Sequence, residues 1–145
     1  MATLQVVYTE MCLRGSQLQT PAGSTGDVGK AVGTDTEIQK VVVSATLPLT
    51  FGQHKLSFVH KSATPEITAC INWDAGAAEV EAEIEKLANV DTVNVTRLGD
   101  GTNSSCDGAC RYGYDYTVFF DGNYVKGNVS LLTQIVGHAD CVDFQ

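Results

Sequence analysis

The segment from Ile67 to Phe120 constrains the fold more than any other part of the chain. Its pattern predicts a short strand, an acidic helix, a second strand, a loop bearing Gly and Cys, and a third strand. The chain is 43% hydrophobic and only 18% charged, and it is rich in Val and Thr, which favours β-structure. We therefore predict an α+β protein that is mostly β: an immunoglobulin-like antiparallel β-sandwich with one packed helix and an N-terminal strand arm.

The chain divides into three regions of different composition. Residues 1–13 contain an alternating strand. The apolar face of this strand consists of Leu4, Val6 and Tyr8. Residues 14–36 lack apolar periodicity and are rich in Gly, Ser and Thr, which is typical of a flexible linker. Residues 37–145 hold the remaining elements, and we predict that they form a single β-rich domain.

Apolar alternation predicts the strands of this domain. They span 38–47, 54–60, 67–73, 114–120 and 128–136, and a further strand begins at Val93. Strands 54–60 and 67–73 should form a hairpin, because only a short Pro-bearing segment separates them. In the second strand of this hairpin, we expect one inward face. It would comprise Ile67, Ala69, Ile71 and Trp73.

The helix is predicted over residues 77–88, with Gly76 as its N-cap. Its apolar stripe consists of Val80, Ile84 and Leu87, which we expect to pack on the strand carrying Ile71 and Trp73. The opposite face carries like-charged glutamate pairs at i, i+4 spacing, which weaken an isolated helix. We therefore expect the packed face to hold the helix and the acidic face to be solvated.

Five cysteines are many for a cytosolic domain of this size, and they favour an oxidising environment. Cys106 and Cys110 flank a turn, so we predict a local disulfide between them. A zinc site would need a second pair of ligands, and the three histidines show no paired spacing. The pairing among Cys12, Cys70 and Cys141 stays open and leaves one thiol over.

Three Asn-X-Ser/Thr sequons occur, at Asn94, Asn103 and Asn128. They are candidate glycosylation sites if the protein is secreted from a eukaryotic cell. Asn103 lies in a predicted loop and is the best acceptor. Asn94 and Asn128 fall on predicted strands, so their side chains must face solvent to be modified.

No segment has a catalytic, cofactor-binding or metal-binding pattern. The Gly-rich stretch 23–31 departs from a phosphate-binding loop in spacing and lacks the hydroxyl that binds magnesium. The polar stretch 100–107 lacks the terminal bidentate Glu of a calcium loop, so we interpret it as a polar turn. Trp73 is expected in the core, and an exposed position would instead indicate ligand stacking. We expect no enzymatic activity and no cofactor.

The net charge of −8 disfavours nucleic acid and anionic membranes as partners. No apolar run reaches the length of about 18 residues that a membrane-spanning helix needs, so we expect no membrane insertion.

Residues 55–132 resemble a module that is repeated in tandem in very large extracellular proteins of microbial eukaryotes and in some bacterial surface proteins. The resemblance lies in Leu56–Phe58, Ile71–Asp74, Ala77–Val80, Leu87–Val90, Val93–Arg97, the Cys-bearing turn, Tyr112–Tyr114, Thr117–Phe119 and Leu131–Leu132. It implies a structural role without catalytic residues. This chain departs from the tandem pattern because a lone unit must complete its sheet edges in another way.

We expect an extracellular or cell-surface structural subunit that polymerises into a fibril by donating its N-terminal strand to a neighbouring copy. Leu4, Val6 and Tyr8 would form the interface with the neighbour. The assembly would be similar in its logic, though not in residue motifs, to that of pilin-type subunits. The alternative is a monomeric cell-surface binding or adhesion module, such as a carbohydrate-binding domain, in which the arm folds back into its own sheet. The expected partners are therefore other copies of the chain and glycans.

Overall fold

The computed structural model describes residues 9–11, 36–61, 63–99, 101, 105–106, 110–125, 127 and 129–145. Its strands are β1 (Thr9–Met11), β2 (Glu37–Ala45), β3 (Gln53–Phe58), β4 (Glu66–Ile67), β5 (Ile71–Asn72), β6 (Asn94–Leu98), β7 (Ser105–Cys106), β8 (Cys110–Phe120) and β9 (Thr133–Ile135). Helix α1 (Ala77–Glu85) lies between β5 and β6 in sequence. The predicted α+β chain with antiparallel sheets, mostly β, is confirmed over these residues. None of their helices has the length and apolar character to cross a bilayer.

The larger sheet is built on the long antiparallel pair of β2 and β8. Its strand order is β1-β2-β8-β6, and β7 pairs with the start of β8. The β2–β8 register runs without interruption from Glu37 opposite Phe120 to Ala45 opposite Tyr112. Gly113 is required within this pair, because a Cβ there would lie 1.8 Å from the carbonyl oxygen of Val43.

The second sheet is centred on β3. β4 and β5 pair with one side of β3, and β9 pairs with it as well. The predicted hairpin is thus confirmed, but its register shifts by one residue between Ser57 opposite Ile67 and His54 opposite Ile71. Such a shift is a β-bulge, and it moves the following residues to the other face.

The bulge makes one prediction wrong, because Ile67 and Ala69 do not share an inward face with Ile71. Both are exposed, while Thr68 is buried. The Thr68 hydroxyl accepts a hydrogen bond from the N–H of Leu56 at 3.0 Å, and the Thr68 N–H donates to the Leu56 carbonyl at 2.9 Å. The side chain thereby satisfies a backbone donor that a regular ladder would pair with a carbonyl.

Both sheets and the helix contribute to one hydrophobic core. The rings of Phe58 and Phe120, from different sheets, stack with their centroids 5.7 Å apart. Gly76 is the N-cap of α1, as predicted. The predicted apolar stripe of the helix is confirmed in the core and consists of Val80, Ile84 and Leu87. The helix ends at Glu85 rather than at residue 88, but a turn from the Leu87 N–H to the Ile84 carbonyl keeps Leu87 buried.

Several predicted strands are longer than the observed ones, and one of the differences has a clear structural reason. The strand predicted over 38–47 ends at Ala45, and Leu47 is 59% exposed. The strand predicted over 128–136 is limited to Thr133–Ile135 within the described residues. The reason for the second difference is that the N–H groups of Val129 and Leu132 donate to side chains rather than to a neighbouring strand.

Those acceptor side chains are two buried polar residues of β2, Glu37 and Gln39. Glu37 accepts from the Val129 N–H at 2.5 Å, and Gln39 accepts from the Leu132 N–H at 2.8 Å. The Gln39 amide also donates to Glu37 at 2.6 Å and to the carbonyl of Ser130 at 3.0 Å. Buried polar groups are stable when hydrogen-bonded in this way, so the network fixes the segment before β9 to the start of β2.

Residues 142–145 form a C-terminal strap that pairs with the chain just before and at the start of β3. The Gln53 N–H donates to the Val142 carbonyl at 2.8 Å, and the Thr50 N–H donates to the Gln145 carbonyl at 3.0 Å. A disulfide between Cys70 and Cys141 ties the strap to the bulged side of the hairpin. Closing so long a loop restricts the unfolded chain and stabilises the fold by about 2–4 kcal/mol.

His54 is buried beside the strap without a hydrogen-bond partner for either ring nitrogen among the described residues. Its ring is stacked against Phe144, with the centroids 6.4 Å apart. Burial penalises the charged imidazolium and lowers the pKa of His54 to about 4.

The Ile84→Ala substitution should lower the free energy of unfolding by about 2–5 kcal/mol, because it leaves a cavity between α1 and the sheets. Leu98→Ala is the matched control, since Leu98 is 71% exposed, and it should cost less than about 0.5 kcal/mol. Urea unfolding followed by circular dichroism measures both variants. Equal losses would contradict the packing of α1.

The free energy of unfolding should fall as the pH decreases from about 6.5 to about 4. In this range His54 binds a proton in the unfolded chain but stays neutral in the folded chain. A pKa lowered from 6.5 to about 4 corresponds to about 3 kcal/mol. His54→Leu should remove this part of the pH dependence, while the half-exposed His138→Gln should leave it unchanged. Identical pH profiles of unfolding for the wild type and His54→Leu would show that His54 accepts a proton in the fold.

Candidate functional site

The outer edge of the larger sheet is formed by the pairing of β1 with β2. Thr9 lies opposite Lys40, Glu10 opposite Gln39, and Met11 opposite Ile38. Residues 12–36 separate the two strands in sequence. The described part of β1 is thus a short strand that lies far along the chain from its partner. The predicted interface residues Leu4, Val6 and Tyr8 lie outside the described residues.

Contacts on its other side and at its start hold β2 in place. Its other side bonds β8 along its whole length, and its first residues are held by the Glu37–Gln39 network. Its core-facing residues Val41, Val43 and Ala45 are buried, at 1%, 0% and 2% exposure. On the opposite face, Lys40 pairs with Asp115 at 2.5 Å. The position of the acceptor strand is therefore set by contacts other than those to β1.

The opposite edge of the same sheet, at β6, is covered by carboxylates of helix α1. The N–H of Val95 donates to Glu81 at 2.9 Å, and the N–H of Val93 donates to Glu85 at 3.1 Å. An i, i+4 pair lies on one helix face, so both carboxylates reach the same strand edge. Glu85 is exposed, as predicted for the acidic face, whereas Glu81 is partly buried, and both carboxylates also accept hydrogen bonds from edge donors.

The β6 and β2 edges of the larger sheet therefore differ in whether their backbone can pair with another strand. At β6, backbone donors that an added strand would use already have carboxylate partners, and negative charge lies beside them. At β2, the backbone accepts a strand, β1. Sequence reasoning located the strand arm but missed the guarded edge, because the contact between α1 and β6 depends on how the helix packs.

The cysteine predictions have different outcomes. Cys70 and Cys141 form a disulfide, which resolves the pairing that the sequence left open. Cys106 and Cys110 lie opposite each other in the register of β7 with β8. Their side chains are outside the described part of the structure, so the disulfide between them stays a prediction. Cys12 is also outside it.

The other candidate residues are only partly within the described chain. Asn94 lies on β6 with an exposed side chain, as its sequon requires. Asn103 and Asn128 lie outside the described residues, as do the Gly-rich stretch 23–31 and most of the polar stretch 100–107. Where the structure describes the chain, no cluster of three or more His, Cys, Asp or Glu side chains could hold a metal ion.

Trp73 is half-buried and packs on the core from one side. Its ring lies 5.8 Å from that of Tyr114, over which the Arg97 guanidinium sits at 4.3 Å. Arg97 donates to the carbonyl of Ala75 at 3.0 Å, and the Tyr116 hydroxyl donates to the same oxygen at 2.7 Å. Burial raises the pKa of Tyr116 to about 12, and the nearby Arg97 opposes this shift. The expectation of a core tryptophan is therefore met on one side of the ring only.

The Glu81→Ala/Glu85→Ala variant should free the N–H groups of Val93 and Val95. Their hydrogen exchange, measured by NMR in protein lacking residues 1–12, should quicken roughly twofold to tenfold because each loses one hydrogen bond. Light scattering should also reveal self-association through the freed edge.

Glu81→Gln/Glu85→Gln is the matched control, since it removes the charges but keeps acceptor oxygens, and it should exchange more slowly than the alanine variant. Glu79→Ala/Glu83→Ala changes the net charge equally and should leave both amides protected. Unchanged exchange in the first variant would mean that the carboxylates do not guard this edge.

Comparison of the chain with protein-family models, with curated proteins and with solved structures gives no match in any of the three. The two sheet edges are accordingly interpreted from their own geometry.

Proposed function

We propose that the chain is an extracellular structural subunit that polymerises by placing its β1 segment on the β2 edge of a neighbouring copy. The pairing of β1 with β2 is the observation that carries this proposal, because the same pairing could form between two copies. Main-chain hydrogen bonds to an exposed sheet edge are a general mode of strand addition.

The segment between the two strands is long enough to allow exchange. Residues 12–36 could span roughly 85 Å when fully extended and about 25–30 Å as a random coil. A strand on such a connection can reach its own β2 or that of a neighbour. The contacts are the same in both cases, so the protein concentration decides between them.

The register of β1 supports the predicted interface residues. In the proposed assembly, the donated strand keeps this register toward the N-terminus. Continued beyond Thr9–Met11, for which the pairing is described, this register would place Tyr8 opposite Val41, Val6 opposite Val43, and Leu4 opposite Ala45. Directly opposite residues of an antiparallel pair point to the same face. The three donated apolar side chains would therefore extend the buried face of β2.

The difference between the edges supports a directional assembly. An edge that accepts a strand at β2 and an edge guarded by carboxylates at β6 disfavour uncontrolled pairing of sheets. Each copy would give its N-terminal strand to one neighbour and receive one from another. A head-to-tail contact that does not close generates a filament.

Three observations support an extracellular location for this assembly. The Cys70–Cys141 disulfide suits an oxidising compartment. Asn94 presents a sequon side chain to solvent, as glycosylation requires. The resemblance to tandem extracellular modules agrees with a structural role without catalysis.

The second candidate is a monomeric cell-surface binding module. It is favoured by the pairing of β1 with the β2 of its own chain. In that case the N-terminal strand completes the sheet internally, and the protein stays monomeric at every concentration.

A crosslinking experiment separates the two candidates. Thr9→Cys protein and Lys40→Cys protein are mixed at high concentration and oxidised, and the disulfides are identified by peptide mass mapping. Because each chain carries only one of the two substitutions, a link between positions 9 and 40 can form only between molecules. We expect this link, and we expect negative-stain filaments that disappear when residues 1–12 are deleted.

The matched control mixes Thr9→Cys with Thr96→Cys, whose new thiol lies on the guarded β6 strand, and it should give no link between these positions. A Thr9→Cys/Lys40→Cys chain that links only to itself, in a protein that elutes as a monomer at all concentrations, would replace strand donation with the binding module.

A further inference from the structure

A shallow cleft of about 290 Å³ lies on the second sheet, away from the β1–β2 edge. The chain before β3, the turn after β5 and the C-terminal strap form its walls. Its main lining residues are Phe51, Gln53, Asn72, Trp73, Asp74 and Val142. Strand donation does not use this surface, so its role is independent of the proposed assembly.

The walls of the cleft are held in place by backbone hydrogen bonds. The Ala75 N–H donates to the Asn72 carbonyl at 3.1 Å and closes a turn with Trp73 and Asp74 at its centre. The Trp73 N–H donates to the Gly52 carbonyl at 3.0 Å, which joins the two sides of the cleft. Arg97 donates to the Asp74 carbonyl at 2.7 Å from behind. The site is therefore formed before any ligand arrives.

The cleft contains one hydrogen-bond donor, the Asn72 NH₂ group, and one acceptor, the Asp74 carboxylate, that have no partner among the described residues. The side-chain NH₂ group of Gln53 donates to the side-chain oxygen (Oδ1) of Asn72 at 2.9 Å. The side-chain oxygen of Gln53 accepts from the Val142 N–H at 3.1 Å. The first of these contacts orients the Asn72 amide, whose NH₂ group has no protein acceptor among the described residues. The exposed Asp74 carboxylate has no protein donor among them either. With respect to the described residues, both groups therefore keep hydrogen-bonding capacity for a ligand.

The apolar walls remain in contact with water although they adjoin the core. Phe51 is 41% exposed and Val142 is 52% exposed. Trp73 lies beside Tyr114, its ring is also approached by Gly101, and the residue forms part of the cleft lining. Aromatic surface next to oriented polar groups is the usual composition of a small-ligand site.

We propose that this cleft binds a neutral saccharide. The C–H face of a sugar ring can stack on Trp73, while neighbouring hydroxyls donate to Asp74 and accept from Asn72. The carboxylate and the net charge of −8 disfavour an anionic ligand. A cationic ligand is disfavoured because the positive Arg97 guanidinium is bonded to the same turn.

The single tryptophan of the chain makes the test direct, because all tryptophan fluorescence comes from Trp73. The full-length protein is titrated with neutral disaccharides of glucose, galactose, mannose and N-acetylglucosamine, each to about 10 mM, where millimolar binding would be evident. We expect a saturable change in emission with at least one of them. The NMR signal of the Trp73 indole N–H should shift in the same titration.

The Asp74→Ala and Asn72→Ala variants should each weaken binding, and Asp74→Ala should do so by about tenfold or more because it removes a charge-assisted hydrogen bond. Both residues are exposed, so the fold should survive, and circular dichroism checks this. Asp121→Ala is the matched control, since Asp121 is an exposed aspartate outside the cleft lining, and its affinity should equal that of the wild type.

Absence of a saturable response to all of the disaccharides would overturn the proposal. So would a stronger response to tetramethylammonium that high salt suppresses, which would assign the cleft to cations. Equal weakening by Asp74→Ala and Asp121→Ala would show non-specific association. None of these outcomes bears on strand donation, because the crosslinking experiment concerns the other sheet.

Discussion

The pairing of β2 with β8 is the contact on which the remaining structure depends. Each strand brings apolar residues to the core on alternate positions, and each uses its outer side to carry a further strand, β1 on β2 and β6 on β8. The unbroken register requires Gly113, because any side chain there would collide with the backbone of β2. This central pair would keep the core intact in the strand exchange that we propose.

Carboxylate side chains accept hydrogen bonds from backbone N–H groups at several places in the fold. Glu37 holds the segment before β9, Glu81 and Glu85 cover β6, and Asp91 accepts from the N–H groups of Asn123 and Tyr124. At Asp91, partial desolvation raises the pKa but the backbone hydrogen bonds outweigh it, so the pKa lies below its ordinary value. A carboxyl group whose pKa is lowered in the fold stabilises the folded state at every pH above the pKa of the same group in the unfolded chain. This stabilisation is lost as the pH falls and the group is protonated. Several acidic residues of the chain therefore stabilise loops and a strand edge through hydrogen bonds, in addition to keeping the surface solvated.

Sequence predictions were correct where the pattern lies within one helix or strand, and they failed where the feature depends on contacts between elements. The stripe Val80, Ile84 and Leu87 and the alternation along β8 were predicted correctly, because apolar periodicity directly reflects the buried face. The bulge at Thr68 was not predicted, since the side-chain pattern of β4 and β5 does not reveal a shift of register in the partner strand. The guarded edge at β6 was missed for a similar reason: glutamates at i, i+4 read as solvated until the helix is placed beside a strand.

The sequence by itself determined the class of fold and the position of the helix, because composition and periodicity act within short windows. Tertiary structure alone decided that Cys70 pairs with Cys141, that β1 lies on β2, and that Trp73 lines a cleft beside the C-terminal strap. Each of these facts joins residues that are distant in the chain. Their proximity follows from how the sheets pack together, and no local pattern encodes it.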